Sequence, residues 1–105
     1  MFRPDHDIFY SDVYNIVAQI PFGKVLTYGD IARLAGWQNH SRMVGRALRY
    51  CPEELRLPCH RVVNANGGTA PNWHNQADLL KAEGVCFKKN GYVYLNKSRW
   101  LAVLD

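Results

Sequence analysis

Residues 57–63 read LPCHRVV, which sets a cysteine between a proline and a histidine and follows them with an arginine and paired valines. Pro58 fixes its own φ and pushes Leu57 towards an extended conformation, so the thiol of Cys59 is carried on stiff backbone. His60 puts a proton acceptor next to that thiol, and the charge of Arg61 favours thiolate over thiol. Thiolate is the nucleophilic form, so this run is where the chain offers covalent chemistry. The same residues also suit a half-buried cysteine in an apolar strand, because lone cysteines commonly serve as small hydrophobes.

Other reactive side chains form no comparable group. Cys51, Cys59 and Cys86 make no CxxC pair, and an odd number of cysteines is a poor disulfide framework. His6, His40, His60 and His74 lack metal-ligand spacing. Free thiols in a reducing compartment are expected, with no metal and no cofactor. Net charge is +4, and its placement says more than its size. Between Ser41 and Arg61 stand Arg42, Arg46, Arg49, Arg56 and Arg61 against Glu53 and Glu54, whereas the first 12 residues are acidic. A basic stretch on a helix suits phosphate contact, although a plain solvated face has the same composition.

These groups need elements to position them. Phe9, Val13, Ile16, Val17 and Ile20 recur at helical spacing and predict a first amphipathic helix over Ile8–Ile20, ended by Pro21-Phe22-Gly23. Thr27 reads as an N-cap, with Asp30 three residues on, for a helix TYGDIARLA that stops at Gly36. After the polar turn Gln38-Asn39-His40, Ser41 is expected to cap a third helix, SRMVGRALRY. Its stripe of Val44, Ala47 and Leu48 leaves Arg42, Arg46 and Arg49 on the outer side. Gly45 and Ala47 allow something flat, or a phosphate, to come close. Two short helices about a tight turn, the second basic, form a helix-turn-helix pattern.

Beyond LPCHRVV lies the turn-rich loop NANGGTAPNW, then a predicted helix over about His74–Glu83 with Leu79 and Leu80 inward. VCFKKNGYVYL alternates about Asn90-Gly91 and predicts a type I′ hairpin, with Lys88 and Lys89 near its tip in the manner of a wing. Trp100, Leu101, Val103 and Leu104 are expected to close the core. The length of 105 residues fits one domain over 1–105, and the 48% apolar content suffices for one core. No apolar run approaches the roughly 18 residues of a membrane span, and the start lacks a secretory signal. The expectation is a mainly α fold with a small β-hairpin, a winged-helix-like helix-turn-helix DNA-binding domain, in the cytoplasm of a bacterial-type cell or in a nucleus.

In order, IPFGKVLTYGDIARLAG, SRMVGRAL, LPCHRVV and LLKAEGV resemble the DNA-binding domain of the O6-alkylguanine-DNA alkyltransferases and the alkyltransferase-like proteins, over about Phe9 to Val85. The resemblance implies a partner, duplex DNA containing O6-alkylguanine, and a flipped base whose alkyl group passes irreversibly to Cys59. It makes His60 the general base through a water and Glu83 the group that orients it. Tyr28 corresponds to the tyrosine that meets the extruded nucleotide, and Arg42 to the arginine that fills the gap in the base stack. The carbonyls of Cys59 and Val62 would read the exocyclic amine of guanine. Arg46, Arg49 and Arg61, with Gly45, complete the expected DNA contacts. The physics agrees, because the O6 atom of a stacked guanine is out of reach and extrusion costs on the order of a few kcal/mol. A planar guanidinium can offset part of that cost.

Departures from the family pattern open a second reading. The alkyltransferases carry a further N-terminal domain, whereas this chain is expected to work alone and as a monomer, like the short alkyltransferase-like proteins. Those short relatives usually lack the cysteine that this chain keeps. In place of the tyrosine-serine-glycine-glycine lid stands GGTAPNWHNQ, so the N–H that would assist departure of O6 is in doubt. Trp73 and His74 fall in that segment, and Trp73 either stacks as a wall of the base pocket or anchors the loop on the core. Cys51 stands where an asparagine usually braces the site. The intact Cys59, His60 and Glu83 set favours alkyl transfer. The altered lid and short chain leave a lesion sensor as the alternative, one that binds O6-alkylguanine and recruits other DNA repair proteins. A sequence-specific winged-helix regulator fits less well, having no use for Cys-His beside its recognition helix.

Overall fold

Phe9, Val13 and Val17 form one stripe of α1 (His6–Ala18) and are fully buried, with Ile20 closing the stripe just past the helix. The computed structural model describes residues 6–104. A short strand β1 (Leu26–Thr27) runs directly into α2 (Tyr28–Leu34). At that junction the expected cap is present on both sides: Asp30 N–H donates to Thr27 Oγ1 at 3.0 Å, and Thr27 N–H donates to Asp30 Oδ2 at 3.0 Å. The turn from α2 to α3 (Ser41–Arg49) passes through Asn39, at φ 69°. Ser41 is the first residue of α3 and not its cap. His40 holds the cap position without a side-chain bond, and its carbonyl accepts from the N–H groups of Met43 and Val44. Val44 and Ala47 of α3 are buried while Arg42, Arg46 and Arg49 are exposed. Tyr14 Oη donates to the Ala47 carbonyl at 2.7 Å and ties α1 to α3.

A second strand, β2 (Val62–Val63), pairs in parallel with β1, matching Leu26 with Val62 and Thr27 with Val63. Neighbouring residues of a strand face opposite ways, so this small sheet separates two apolar clusters. Leu26 and Val62 join α1, α2 and α3 on one side; Val25 and Val63 join Leu80, Val85 and Val93 on the other. The start of the helix-turn-helix is thereby fixed to the backbone that leaves Cys59–His60.

Past β2 four expectations need correction. The helix α4 is Gln76–Ala82, later than predicted, because residues 70–76 form successive turns (Trp73 N–H to Ala70 O, Gln76 N–H to Trp73 O). Leu80 is buried in it, but Leu79 faces outward. The Asn90-Gly91 segment is one antiparallel bridge, Phe87 with Val93, and not a pair of strands with a type I′ turn. Type I′ needs positive φ at both central residues; Gly91 has it at 88°, whereas Asn90 does not and instead accepts from Tyr92 N–H through Oδ1. Gly91 N–H reaches Lys88 O and Lys88 N–H reaches Tyr92 O, a type I turn closed by a glycine bulge. A short α5 (Leu95–Ser98) follows. Trp100, Val103 and Leu104 pack on the first cluster, but Leu101 is exposed.

Candidate nucleic-acid interface and its cysteine

Cys59 opens a single 3-10 turn, Cys59–Arg61, between Pro58 and β2. The N–H of Cys59 donates to Leu57 O at 2.8 Å and that of Arg61 to Pro58 O at 2.9 Å, so the turn is rigid on both sides of the thiol. Cys59 forms part of the wall of a cavity of about 710 Å³, a size typical of ligand pockets. Tyr28 of α2 and Arg42, Gly45, Arg46 and Arg49 of α3 line it on one side; Ala70 to Trp73 line it on the other. These lining residues include arginines and aromatic rings but no carboxylate. A Cβ at Gly45 would lie 3.9 Å from the Tyr28 ring, an ordinary contact. Trp73, whose role was open, is part of the cavity wall, and His74 is exposed outside it.

Arg61 and Val62 sit elsewhere. The Arg61 side chain is turned inward, donating through Nε to Glu83 Oε1 at 2.9 Å, through Nη2 to Glu83 Oε2 at 2.9 Å and through Nη1 to Ile20 O at 2.8 Å. Every arm of the guanidinium is occupied, so Arg61 does not present itself to a phosphate. Val62 is buried in the core and is absent from the cavity wall; its carbonyl accepts from Gln76.

Glu83, just past α4, is the hub of this inner network. His60 Nε2 lies 2.6 Å from Oε2, and Gly23 N–H donates to Oε1 at 2.8 Å. Burial by itself would raise the carboxyl, but the hydrogen bonds from Arg61, Gly23 and His60 outweigh it and hold the group at about 2. An ionised Glu83 keeps the proton of a neutral His60 on Nε2 and leaves Nδ1 as the basic nitrogen. The thiol behaves otherwise than expected. Burial pushes Cys59 up to about 12, and the neighbouring Cys51 thiol adds to the effect. Arg61 does not offset this, because its charge is spent on Glu83. Burial, and then Cys59, also raises the Tyr28 phenol, so it stays a neutral hydrogen-bonding group.

A separate cavity of about 460 Å³ lies between α2, the helix-turn-helix turn and Arg99. Its acid, Asp30, is fully engaged with Thr27, Arg33 and Arg99 and holds no unspent chemistry.

Residues 8–85 match the family described as 6-O-methylguanine DNA methyltransferase, DNA binding domain. The chain belongs to that family. Among curated relatives, the DNA base-flipping protein of Escherichia coli is 45% identical over 97 residues, which are 90% of this chain and 75% of that one. The methylated-DNA–protein-cysteine methyltransferase of Methanosarcina acetivorans is 41% identical over 86 residues, 79% of this chain and 55% of that one. Among solved structures, Schizosaccharomyces pombe Atl1 in complex with damaged DNA containing O6-carboxymethylguanine superposes with a TM-score of 0.79 at 36% identity, over 94% of this chain and 98% of that one. Family members of both kinds, base-flipping and methyl-transferring, are thus similar to this chain, and the fold is the helix-turn-helix DNA-binding domain that they share.

Proposed function

We propose that this protein binds duplex DNA through α3, turns an O6-alkylguanine out of the stack into the cavity beside Cys59, and holds it there as a damage signal. The observation that carries this reading is the cavity itself. It is rimmed by Arg42, Arg46 and Arg49 for the phosphate backbone and walled by Tyr28 and Trp73, on which a base can stack. Arg42, exposed at the start of α3, is the residue to occupy the vacated stack. The similarity to a base-flipping protein and to Atl1 in complex with damaged DNA supports the same assignment. Holding rather than transferring is favoured by the likeness over 90% and 94% of this chain to a base-flipping protein and to Atl1, against 79% for the methyltransferase, and burial that raises the Cys59 thiol points the same way.

Alkyl transfer is the second reading, favoured by the His60–Glu83 contact of 2.6 Å beside a cysteine on the cavity wall. In that reaction Cys59 Sγ bonds to the alkyl carbon as the carbon–O6 bond breaks. The thiol proton passes to His60, and the guanine takes up a proton on leaving.

One experiment separates the two. Protein is incubated with duplex carrying O6-methylguanine, and both affinity and intact mass are measured. Tighter binding to the lesion duplex with unchanged mass, retained in Cys59→Ser, is the expected result. A gain of roughly 14 Da on the Cys59 peptide, one methyl in place of one hydrogen, establishes transfer. Equal affinity for lesion and plain duplex overturns both.

A further inference from the structure

Gln76 is a fully buried polar residue at the start of α4 whose side-chain hydrogen bonds end on the backbone just after Cys59 and on Ala70 of the cavity-lining loop. Its Nε2 donates to the His60 carbonyl at 3.0 Å and the Val62 carbonyl at 2.9 Å, and its Oε1 accepts from Ala70 N–H at 2.7 Å. Two acceptors on one side and a donor on the other fix the orientation of the carboxamide, and flipping it would break all three bonds.

Consider what it joins. Cys59, His60 and Val62 belong to the reactive turn and β2, whereas Ala70 begins the loop that carries Pro71, Asn72 and Trp73 into the cavity. Among the described residues, no backbone hydrogen bond links residues 70–73 to residues 59–63; Trp73 N–H returns to Ala70 O within the loop itself. A core filler would not need an amide here, since a leucine buries as much apolar surface without carrying polar atoms to be satisfied.

We propose that Gln76 is a positioning residue for lesion recognition: it sets the distance between the Cys59–His60 turn and the Trp73 wall, and so the width of the slot that receives the base. The proposal rests on the lesion-binding reading given above. Gln76→Leu leaves the His60 and Val62 carbonyls and the Ala70 N–H buried without partners, and the loop shifts to recover them. Gln76→Glu sets a carboxyl against two carbonyl oxygens, so burial and the carbonyls raise its titration, and in its ionised form it repels both. Once protonated it regains one donor, and the slot is restored.

The test uses protein labelled with 5-fluorotryptophan, whose three fluorine resonances, from Trp37, Trp73 and Trp100, are assigned by single Trp→Phe variants. Without DNA, Gln76→Leu moves or broadens the Trp73 resonance and leaves those of Trp37 and Trp100 in place. With DNA, its ratio of lesion to plain-duplex affinity falls about tenfold or more, the size expected for unsatisfied buried amide groups, while plain-duplex affinity stays within about twofold. Gln76→Glu recovers the ratio several-fold between pH 8 and pH 5, and this arm stands if the leucine variant fails to fold. An unmoved Trp73 resonance, three resonances moving together, or an unchanged affinity ratio overturns the proposal. A wild-type protein that does not prefer the lesion duplex overturns the lesion-binding reading, while the fluorine arm still reports on the tether.

Discussion

Glu83 illustrates how one carboxylate can tie several segments of the chain together. Its side chain is 7% exposed, and its partners hold it at about 2 against an ordinary value of 4.5. A depressed folded-state value gives stability that is fully present above the unfolded value and is lost as pH falls through the folded one. The contribution is on the order of 3 kcal/mol and disappears between about pH 4.5 and pH 2. Urea midpoints measured from pH 7 to pH 2.5 should therefore fall for the native protein and fall by less for Glu83→Gln, in which Asp30, also held below its ordinary value, still loses its ion pairs in acid. Cys51 offers a complementary test. Because burial is the larger cause and Cys51 the smaller, Cys51→Ala should move the pH profile of Cys59 alkylation by iodoacetamide downward while keeping its midpoint above 9. A profile that does not move would mean that the two thiols do not communicate. The sequence itself sets Cys59 beside His60, and the pairing of His60 with Glu83 comes only through the family resemblance, not from the spacing of the residues. The inward turn of Arg61 was not legible, because nothing in PCHRVV shows that a carboxylate 22 residues away and the Ile20 carbonyl will claim its guanidinium.

The helix pair was the most readable element, since Thr27 and Asp30 announce a cap and the apolar stripe of α3 separates core from arginines. The parallel β1–β2 pairing was not readable. Two-residue strands show no periodicity, and their pairing follows from burying one face in the cluster of α1, α2 and α3 and the other in the cluster of Leu80, Val85 and Val93, residues remote in sequence. The Asn90-Gly91 turn shows a different limit: the dipeptide marks a reversal, but bridging between Phe87 and Val93 selects the bulged form. This hairpin leans on the loop after β2, where Val93 N–H donates to the Gly67 carbonyl at 2.9 Å. Gly67 has φ 91°, and a Cβ there would lie 2.4 Å from the Val93 carbonyl oxygen. Gly67→Ala should accordingly cost about 3 kcal/mol or more in chemical denaturation, combining a steric clash with left-handed backbone. Gly45→Ala, with its ordinary 3.9 Å contact, serves as the mild control.

Across the whole molecule the basic charge divides by task. Arg42, Arg46 and Arg49 face out from α3, whereas Arg61 and Arg99 face in, spent on Glu83 and Asp30. Plain-duplex affinity measured against salt should separate them. Arg46→Ala and Arg49→Ala should each lower the slope by about 0.9. Arg61→Ala should leave the slope alone and cost about 3–5 kcal/mol of stability, because Glu83 stays buried without its main counter-charge. An Arg61→Ala slope that drops like the others would return Arg61 to the DNA face. Among the described residues, no helix is long and apolar enough to cross a membrane. The Arg99–Asp30 pair, finally, spans 69 positions and joins the N-terminus of α2 to a residue near the far end of the described chain. On a ribosome, synthesis runs from the first residue onward, so α2 leaves the exit tunnel long before its counter-ion does. The nascent helix-turn-helix is left with a buried acid lacking its Arg99 partner until a further 69 residues have been made, so the α2 cap gains its full set of bonds well after the helix itself can form.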